Sequence, residues 1–199
     1  GLVAYYSFDD CSAKDLSGNG NDGIIYGAKC VDGKFGKALS FDGVDDYIEV
    51  PDSPNIPSGV SMEEITVELW LKANDVSGSN GVIGIDTEWL VSIEKGKIWM
   101  RTWGDNNGGT VNSISTNTWY HIVAIWKVGV GHEIYVNGEF WDSVDPSNTD
   151  TSSNTGNSLM IGQCLSGGVL WNKRFNGIID EVRIYNRALS EEEIRALYE

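Results

Sequence analysis

Basic residues are scarce in this chain: 14 Lys and Arg stand against 29 Asp and Glu over 199 residues, a formal charge of −15. That balance excludes nucleic acid and anionic lipid surfaces, because both are bound by an excess of Lys and Arg that displaces counterions. No basic tract hides in the acidic background, the densest cationic pair being Lys173-Arg174. Long apolar runs are missing as well. None approaches the roughly 20 residues that cross a bilayer as a helix, so membrane insertion is not expected. No signal-like stretch precedes the first apolar segment, and the chain opens without Met in Leu2-Val-Ala-Tyr-Tyr-Ser-Phe8. Such a start reads as a module cut from a larger secreted protein, with covalently attached neighbouring domains in the parent.

Cysteine and histidine are equally sparse. The three cysteines, Cys11, Cys30 and Cys164, show no zinc-ligand spacing and no C-x-x-C. Their odd number leaves at least one thiol unpaired. Cys11 and Cys30 flank a turn-rich excursion that brings its ends together, and a disulfide there stabilises by roughly 3 kcal/mol in the loop-entropy picture. Three reduced, buried thiols in a cytosolic protein are the alternative. His121 and His132 sit on separate segments with no cysteine nearby, and His121, in Trp119-Tyr-His121, reads as packed beneath a neighbouring strand rather than catalytic. No nucleophile elbow and no phosphate-cradling glycine loop is present.

What is present is the composition of a folded globule, 41% apolar and 22% charged. The dominant period is two. In Ile65-Thr-Val-Glu-Leu-Trp-Leu-Lys72 the aliphatic residues fall on one face and Thr66, Glu68, Trp70 and Lys72 on the other, the pattern of a half-buried strand. About a dozen short runs of this kind recur from Val3–Phe8 to Ile178–Tyr185, separated by turn residues. Lys95-Gly96 and Asn137-Gly138 suit type I′ hairpin turns, whose two central residues need positive φ. Helical signal is confined to the end, where Ser190-Glu-Glu-Glu193 spells a capping box. The polar stretch 145–156 reads as a long surface loop rather than a linker, so residues 1–199 form a single domain: all-β, with antiparallel sheets packed face to face and a short C-terminal helix.

Several blocks carry a resemblance. Val3-Ala-Tyr-Tyr-Ser-Phe-Asp9, Gly33-Lys-Phe-Gly-Lys-Ala-Leu-Ser-Phe-Asp-Gly43, Asp46-Tyr-Ile-Glu-Val-Pro51, Trp119-Tyr-His-Ile-Val-Ala124 and Gly177-Ile-Ile-Asp-Glu-Val-Arg-Ile-Tyr-Asn-Arg-Ala-Leu-Ser190 follow one another along nearly the whole chain. Together they resemble the LamG-like jellyroll domains of the concanavalin A-like lectin/glucanase superfamily. The resemblance implies a jellyroll β-sandwich with one concave and one convex sheet. It also implies a structural calcium joining the first strand, the Phe-Asp-Gly turn and the last strand, which by position falls on Asp9, Asp42, the carbonyl of Gly43 and Asp180. Turn capping by Asp42 and Asp9 is the alternative.

Function is less constrained, because this fold hosts lectins, adhesion domains and glycanases. Retaining glycanases of the superfamily resemble one another in a Glu-x-Asp-x-x-Glu strand that sets two carboxyl groups about 5 Å apart. That motif is missing, and Asp86-Thr-Glu88 is the nearest approach to it. Trp is abundant, at 8 residues. In Ile98-Trp-Met-Arg-Thr-Trp103 alternation sets Trp99, Arg101 and Trp103 on one face, a strip suited to stacking on sugar rings, with Arg101 able to donate paired hydrogen bonds to hydroxyls or a uronate. Trp70 extends the platform, and Trp89, Trp141 and Trp171 lie in adjoining segments. The alternative is structural packing of the tryptophans under loops with Arg stacked between them.

The expectation is therefore a non-catalytic extracellular carbohydrate-binding module with one calcium. Neutral poly- or oligosaccharides are favoured because the surface is acidic. An adhesion or assembly domain that binds protein is the competing reading, and a glycanase with a displaced acid pair is the third.

Overall fold

A computed structural model describes residues 1–59, 62–102, 110, 112–144, 157–166, 169–170 and 173–199. Trp103, Trp171 and the stretch 145–156 lie outside the described residues. The strands run in chain order as β1 (Leu2–Tyr6), β2 (Ile24–Tyr26), β3 (Lys29–Asp32), β4 (Lys37–Asp42), β5 (Tyr47–Val50) and β6 (Glu64–Ala73). Next come β7 (Ser79–Ile85), β8 (Trp89–Glu94), β9 (Lys97–Thr102), β10 (Trp119–Lys127), β11 (Gly131–Val136) and β12 (Glu139–Val144). The last part holds β13 (Leu159–Ile161), β14 (Leu165–Ser166), β15 (Val169–Leu170), β16 (Lys173–Arg174), β17 (Asn176–Tyr185) and the helix α1 (Glu191–Tyr198).

Two sheets form the sandwich. The first is ordered β12-β11-β10-β6-β17-β4-β3, with β1 also paired to β17, and the second β2-β5-β13-β7-β8-β9, with β16 beside β7. The chain crosses repeatedly between the sheets, as at β4 to β5, β5 to β6, β6 to β7 and β9 to β10, in the manner of a jellyroll. Alternation supplies the core: Ile65, Val67, Leu69 and Leu71 from β6 meet Ile48, Val50, Ile83, Val91, Ile98 and Met100 from the second sheet. The expected I′ turns are formed, with φ of 51° and 80° at Lys95-Gly96 and 53° and 76° at Asn137-Gly138. Cys11 and Cys30 form the disulfide, closing a loop of sequence separation 19, and Cys164 is left as a buried thiol.

The helix closes the outer face of the first sheet. Ser190 accepts from the Glu193 amide, and the Glu193 carboxylate accepts from the Ser190 amide. Ile194 and Leu189 then pack on Val123, Ile125 and Tyr135. As a result β6, which alternation reads as half-buried, is covered on both faces, with Thr66 and Glu68 fully buried on the outer side. His121 is buried too, its Nε2 at 2.9 Å from Glu68 Oε1, and its ring stacks on Tyr198 of the helix rather than beneath a strand.

Trp70 is corrected by this arrangement. It lies in the first sheet, is 3% exposed, and is enclosed by Phe35, His121 and Tyr198. Trp99 lies in the other sheet, so Trp70 cannot extend its strip. Trp89 is corrected as well: it points into the sandwich, is 1% exposed, and satisfies its indole N–H by donating to the Pro57 carbonyl at 2.9 Å. Trp141, on the edge strand β12 of the first sheet, is half-buried against the core.

Candidate functional site

Among the described residues no helix covers the outer face of the second sheet. Strand register sets Ile24, Glu49, Met160, Gly84, Leu90 and Arg101 side by side across it. In the neighbouring row the cross-strand pair Tyr26–Tyr47 stands at one end and Ser92–Trp99 at the other. Between the two ends the chain leaving β13 crosses the sheet. A Cβ on Gly81 would lie 2.5 Å from the Cys164 amide nitrogen, so only glycine admits the crossing. Burial pushes the Cys164 thiol up to about 12, which leaves it a packing group rather than a reactive one.

At the β9 end, alternation is as expected: Trp99 and Arg101 face outward, and Ile98, Met100 and Thr102 are buried. The guanidinium is not free to meet a ligand. Arg101 forms a fork with the Glu94 carboxylate, Nη1 to Oε1 and Nη2 to Oε2 at 3.1 Å, and lies 4.1 Å over the Trp99 ring. One face of the indole is thus occupied from within the protein.

At the β2 end the aromatics are more open. Tyr26 is 39% and Ile24 50% exposed on the edge strand. The Tyr26 and Tyr47 rings stack with centroids 4.6 Å apart and planes at 15°. Arg174 holds the inner side, its guanidinium 5.6 Å from the Tyr47 ring and its Nε donating to Gln163 Oε1 at 2.8 Å. Glu49 lies alongside, accepting from Ser158 Oγ at 2.9 Å. None of these residues was singled out from sequence. The available signal was Tyr47-Ile-Glu-Val50, where inward Ile48 and Val50 force Tyr47 and Glu49 outward.

The four positions expected to share one cation divide into two groups. β17 pairs Asn176 with Asp42 and Ile179 with Leu39, so Asp180 lies four residues along the strand from the Asp42 level, about 13 Å away at 3.3 Å per residue. Asp42 and Gly43 belong to the turn after β4. There Asp42 Oδ1 accepts from the Val44 and Asp45 amides at 2.7 and 3.2 Å, and backbone hydrogen bonds hold its pKa down. Asp45 and Asp46 join it, the three carboxylates offering oxygens within 4.8 Å of one another. Burial, then the charges of Asp42 and Asp45, raise the Asp46 pKa.

Asp180 and Asp9 instead grip the turn between β3 and β4. Asp180 Oδ2 accepts from the Lys34 and Phe35 amides at 2.8 and 3.0 Å, and Asp9 Oδ1 accepts from the Lys37 amide at 3.0 Å. Asp180 is fully buried, its Oδ1 has no hydrogen-bond partner, and burial lifts its pKa to about 6. Gly36 has φ +48°, and a Cβ there would lie 1.9 Å from Asp9 Oδ1.

Asp86-Thr-Glu88 is a turn rather than a strand. It joins β7 to β8 with φ +62° at Thr87, and Glu88 Oε2 is committed to the Gly59 amide at 2.7 Å. The two acids thus stand on a turn, not on a strand as in the motif of the superfamily's glycanases.

Comparisons agree with this architecture. The sequence is 28% identical over 156 residues to pentraxin-related protein PTX3 of Mus musculus, covering 69% of this chain and 39% of that protein. The Bos taurus protein of the same name is 26% identical over 148 residues, again at 39% of its length. The chain thus spans well under half of these relatives. Domain 4 of AbnA, an extracellular GH43 arabinanase from Geobacillus stearothermophilus solved with arabinotriose, superposes with TM-score 0.80 and 25% identity, covering 100% of this chain and 98% of that one. The binding domain of Paraclostridial mosquitocidal protein 1 shares the fold at TM-score 0.77 and 21% identity, covering 99% of this chain and 51% of that one. The family model for the concanavalin A-like lectin/glucanase superfamily matches residues 42–195, and the chain belongs to that superfamily.

Proposed function

We propose that this domain is a non-catalytic carbohydrate-binding module that works outside the cell, takes neutral oligosaccharides and carries a structural calcium. The observation that carries the reading is the end-to-end likeness, 100% of one chain and 98% of the other, to a domain of an extracellular arabinanase solved with arabinotriose. The outer face of the second sheet, which no helix covers among the described residues, supports it, and the Cys11–Cys30 disulfide suits an oxidising compartment. The commitment of Glu88 to a backbone amide favours binding over hydrolysis.

Asp180 and Asp9 are the residues that fit the calcium. A fully buried carboxylate with one oxygen lacking a partner needs a cation or a proton, and Asp9 supplies a second carboxylate at the same turn. The ion would tie the last strand to the turn between β3 and β4 and to the residues that follow β1. The Asp42 group is exposed apart from Asp46 and already serves backbone amides, so it reads as turn capping.

Affinity electrophoresis in soluble arabinan, xylan, mixed-linkage glucan and polygalacturonate tests the function. Retardation by at least one neutral polymer and none by polygalacturonate is expected. Free migration in all four gels, with unchanged intrinsic fluorescence, would favour a protein-binding adhesion domain instead.

A further inference from the structure

We infer that the stacked pair Tyr26–Tyr47, rather than the Trp99 strip, is the sugar-stacking subsite of this domain; the inference rests on the carbohydrate-binding reading and places it at named residues. The two aromatic ends of the outer face differ in what is left for a ligand. Trp99 is roofed by Arg101 at 4.1 Å, that guanidinium is held by Glu94, and the indole nitrogen is itself buried. Tyr26 stands on an edge strand with no further strand beyond it among the described residues, and is 39% exposed. One ring face of Tyr26 meets Tyr47 at 4.6 Å, which leaves the other turned toward the sheet edge.

The pair is stiff as well as open. Register opposes Tyr26 and Tyr47 directly. Tyr47 is backed by Arg174, whose Nη1 donates to the Val44 carbonyl and whose Nε donates to Gln163. A sugar ring laid on Tyr26 pays little ordering entropy for such a platform, and its C–H bonds meet the negative face of the aromatic ring. Hydrogen-bonding groups border the rings in the order a polyol needs. Glu49 accepts from hydroxyls beside Tyr26, Ser158 Oγ, whose hydrogen goes to Glu49, accepts as well, and the remaining Arg174 nitrogen donates. Asp46 directly precedes Tyr47, and Asp42 and Asp45 share its turn, so the surroundings are acidic. That sign selects an uncharged glycan, whose hydroxyls donate to carboxylates, over a uronate or a sulfated chain.

The test is titration of the intact domain with the trisaccharides of arabinose, xylose and glucose by calorimetry, for wild type, Tyr26→Ala, Tyr26→Phe and Trp99→Ala. Tyr26→Ala is expected to weaken the trisaccharide that binds by about tenfold or more, and Tyr26→Phe and Trp99→Ala by less than about threefold. Ultraviolet difference spectra of the wild type serve where a variant fails to fold, and should show a tyrosine rather than a tryptophan perturbation on binding. Undiminished affinity in folded Tyr26→Ala, or a purely tryptophan difference spectrum, overturns the subsite and leaves the carbohydrate-binding reading standing. Absence of binding by wild type to all three sugars and to the polymers above overturns both.

Discussion

Replacing Arg183 by Met probes the buried ion cluster on the outer side of the first sheet. Glu68 is fully buried at the centre of β6 and has two partners, Arg183 Nη1 at 3.0 Å and His121 Nε2 at 2.9 Å. The Arg183 guanidinium, only 18% exposed, also bonds Glu181 and lies 4.2 Å from the Tyr5 ring. Burial opposes its charge, but the Glu68 carboxylate holds its pKa well up. Removing one member of such a pair strands the other charge in a dry site, at about 3–5 kcal/mol. For a chain of this length that is a fall in Tm of about 6–20 °C. Urea denaturation at neutral pH is the assay, with Glu68→Met/Arg183→Met as the companion. The double variant removes both charges and should recover most of the loss, because what costs is the unpaired ion rather than the missing bridge. A single variant within about 1 kcal/mol of wild type, or a double variant less stable than the single one, would refute the reasoning.

Four further outcomes follow from the same geometry. Cys11→Ala/Cys30→Ala, or reduction of the wild type, should cost about 3 kcal/mol for a loop of separation 19, read as an earlier urea midpoint; coincident curves with and without reductant would contradict it. Chelation should lower Tm at pH 7.5 in low-calcium buffer. The effect should shrink below about pH 6, where a proton competes for Asp180, and an unchanged melt at both pH values argues for turn capping alone. Ser190→Ala should cost about 1 kcal/mol by removing the N-cap. Glu193, drawn down to about 2 first by Arg187 and then by Ser190, has a folded pKa below its unfolded one. Its stabilisation is therefore present above the ordinary carboxylate range and is lost as pH falls toward 2, which a Glu193→Gln variant should flatten.

Much of the fold was legible because it is local. The alternation in Ile65–Lys72, the turns at Lys95-Gly96 and Asn137-Gly138 and the Ser190–Glu193 box each depend on residues within one element, and each formed where its pattern stood. What failed was information held between elements. Trp70 and Trp99 both alternate outward, yet nothing in either strand tells which sheet it joins, and the two lie on opposite sides of the sandwich. Trp89 was misplaced because Asp86–Glu88 is a turn, which resets the phase of β8 and sends the indole inward. The strand β3 escaped notice because Lys29-Cys-Val-Asp32 has no apolar alternation. The aspartates were grouped by family position, and only the register of β17 with β4 reveals that Asp42 and Asp180 stand about four residues apart along the sheet.

On the proposed carbohydrate-binding reading, the fate of Arg101 also decides what sort of glycan the face tolerates. From sequence its guanidinium looked available for a uronate carboxylate, but a uronate there must displace Glu94 from a two-bond fork with both side chains less than a fifth exposed. That exchange gains one carboxylate contact, loses another of the same kind, and leaves Glu94 without its cation in a half-buried position, so it is close to neutral at best before the incoming acid meets the field of a chain at −15. At the other end Arg174 is already bound to Gln163 and to the carbonyl of Val44, in the turn that carries the carboxylates Asp42, Asp45 and Asp46, and Glu49 stands two residues beyond Tyr47 on the same strand. A charged sugar is thus disfavoured at both ends of the face for separate reasons, competition at one and repulsion at the other. A neutral one meets neither obstacle: its hydroxyls donate to the same carboxylates that would repel an acid.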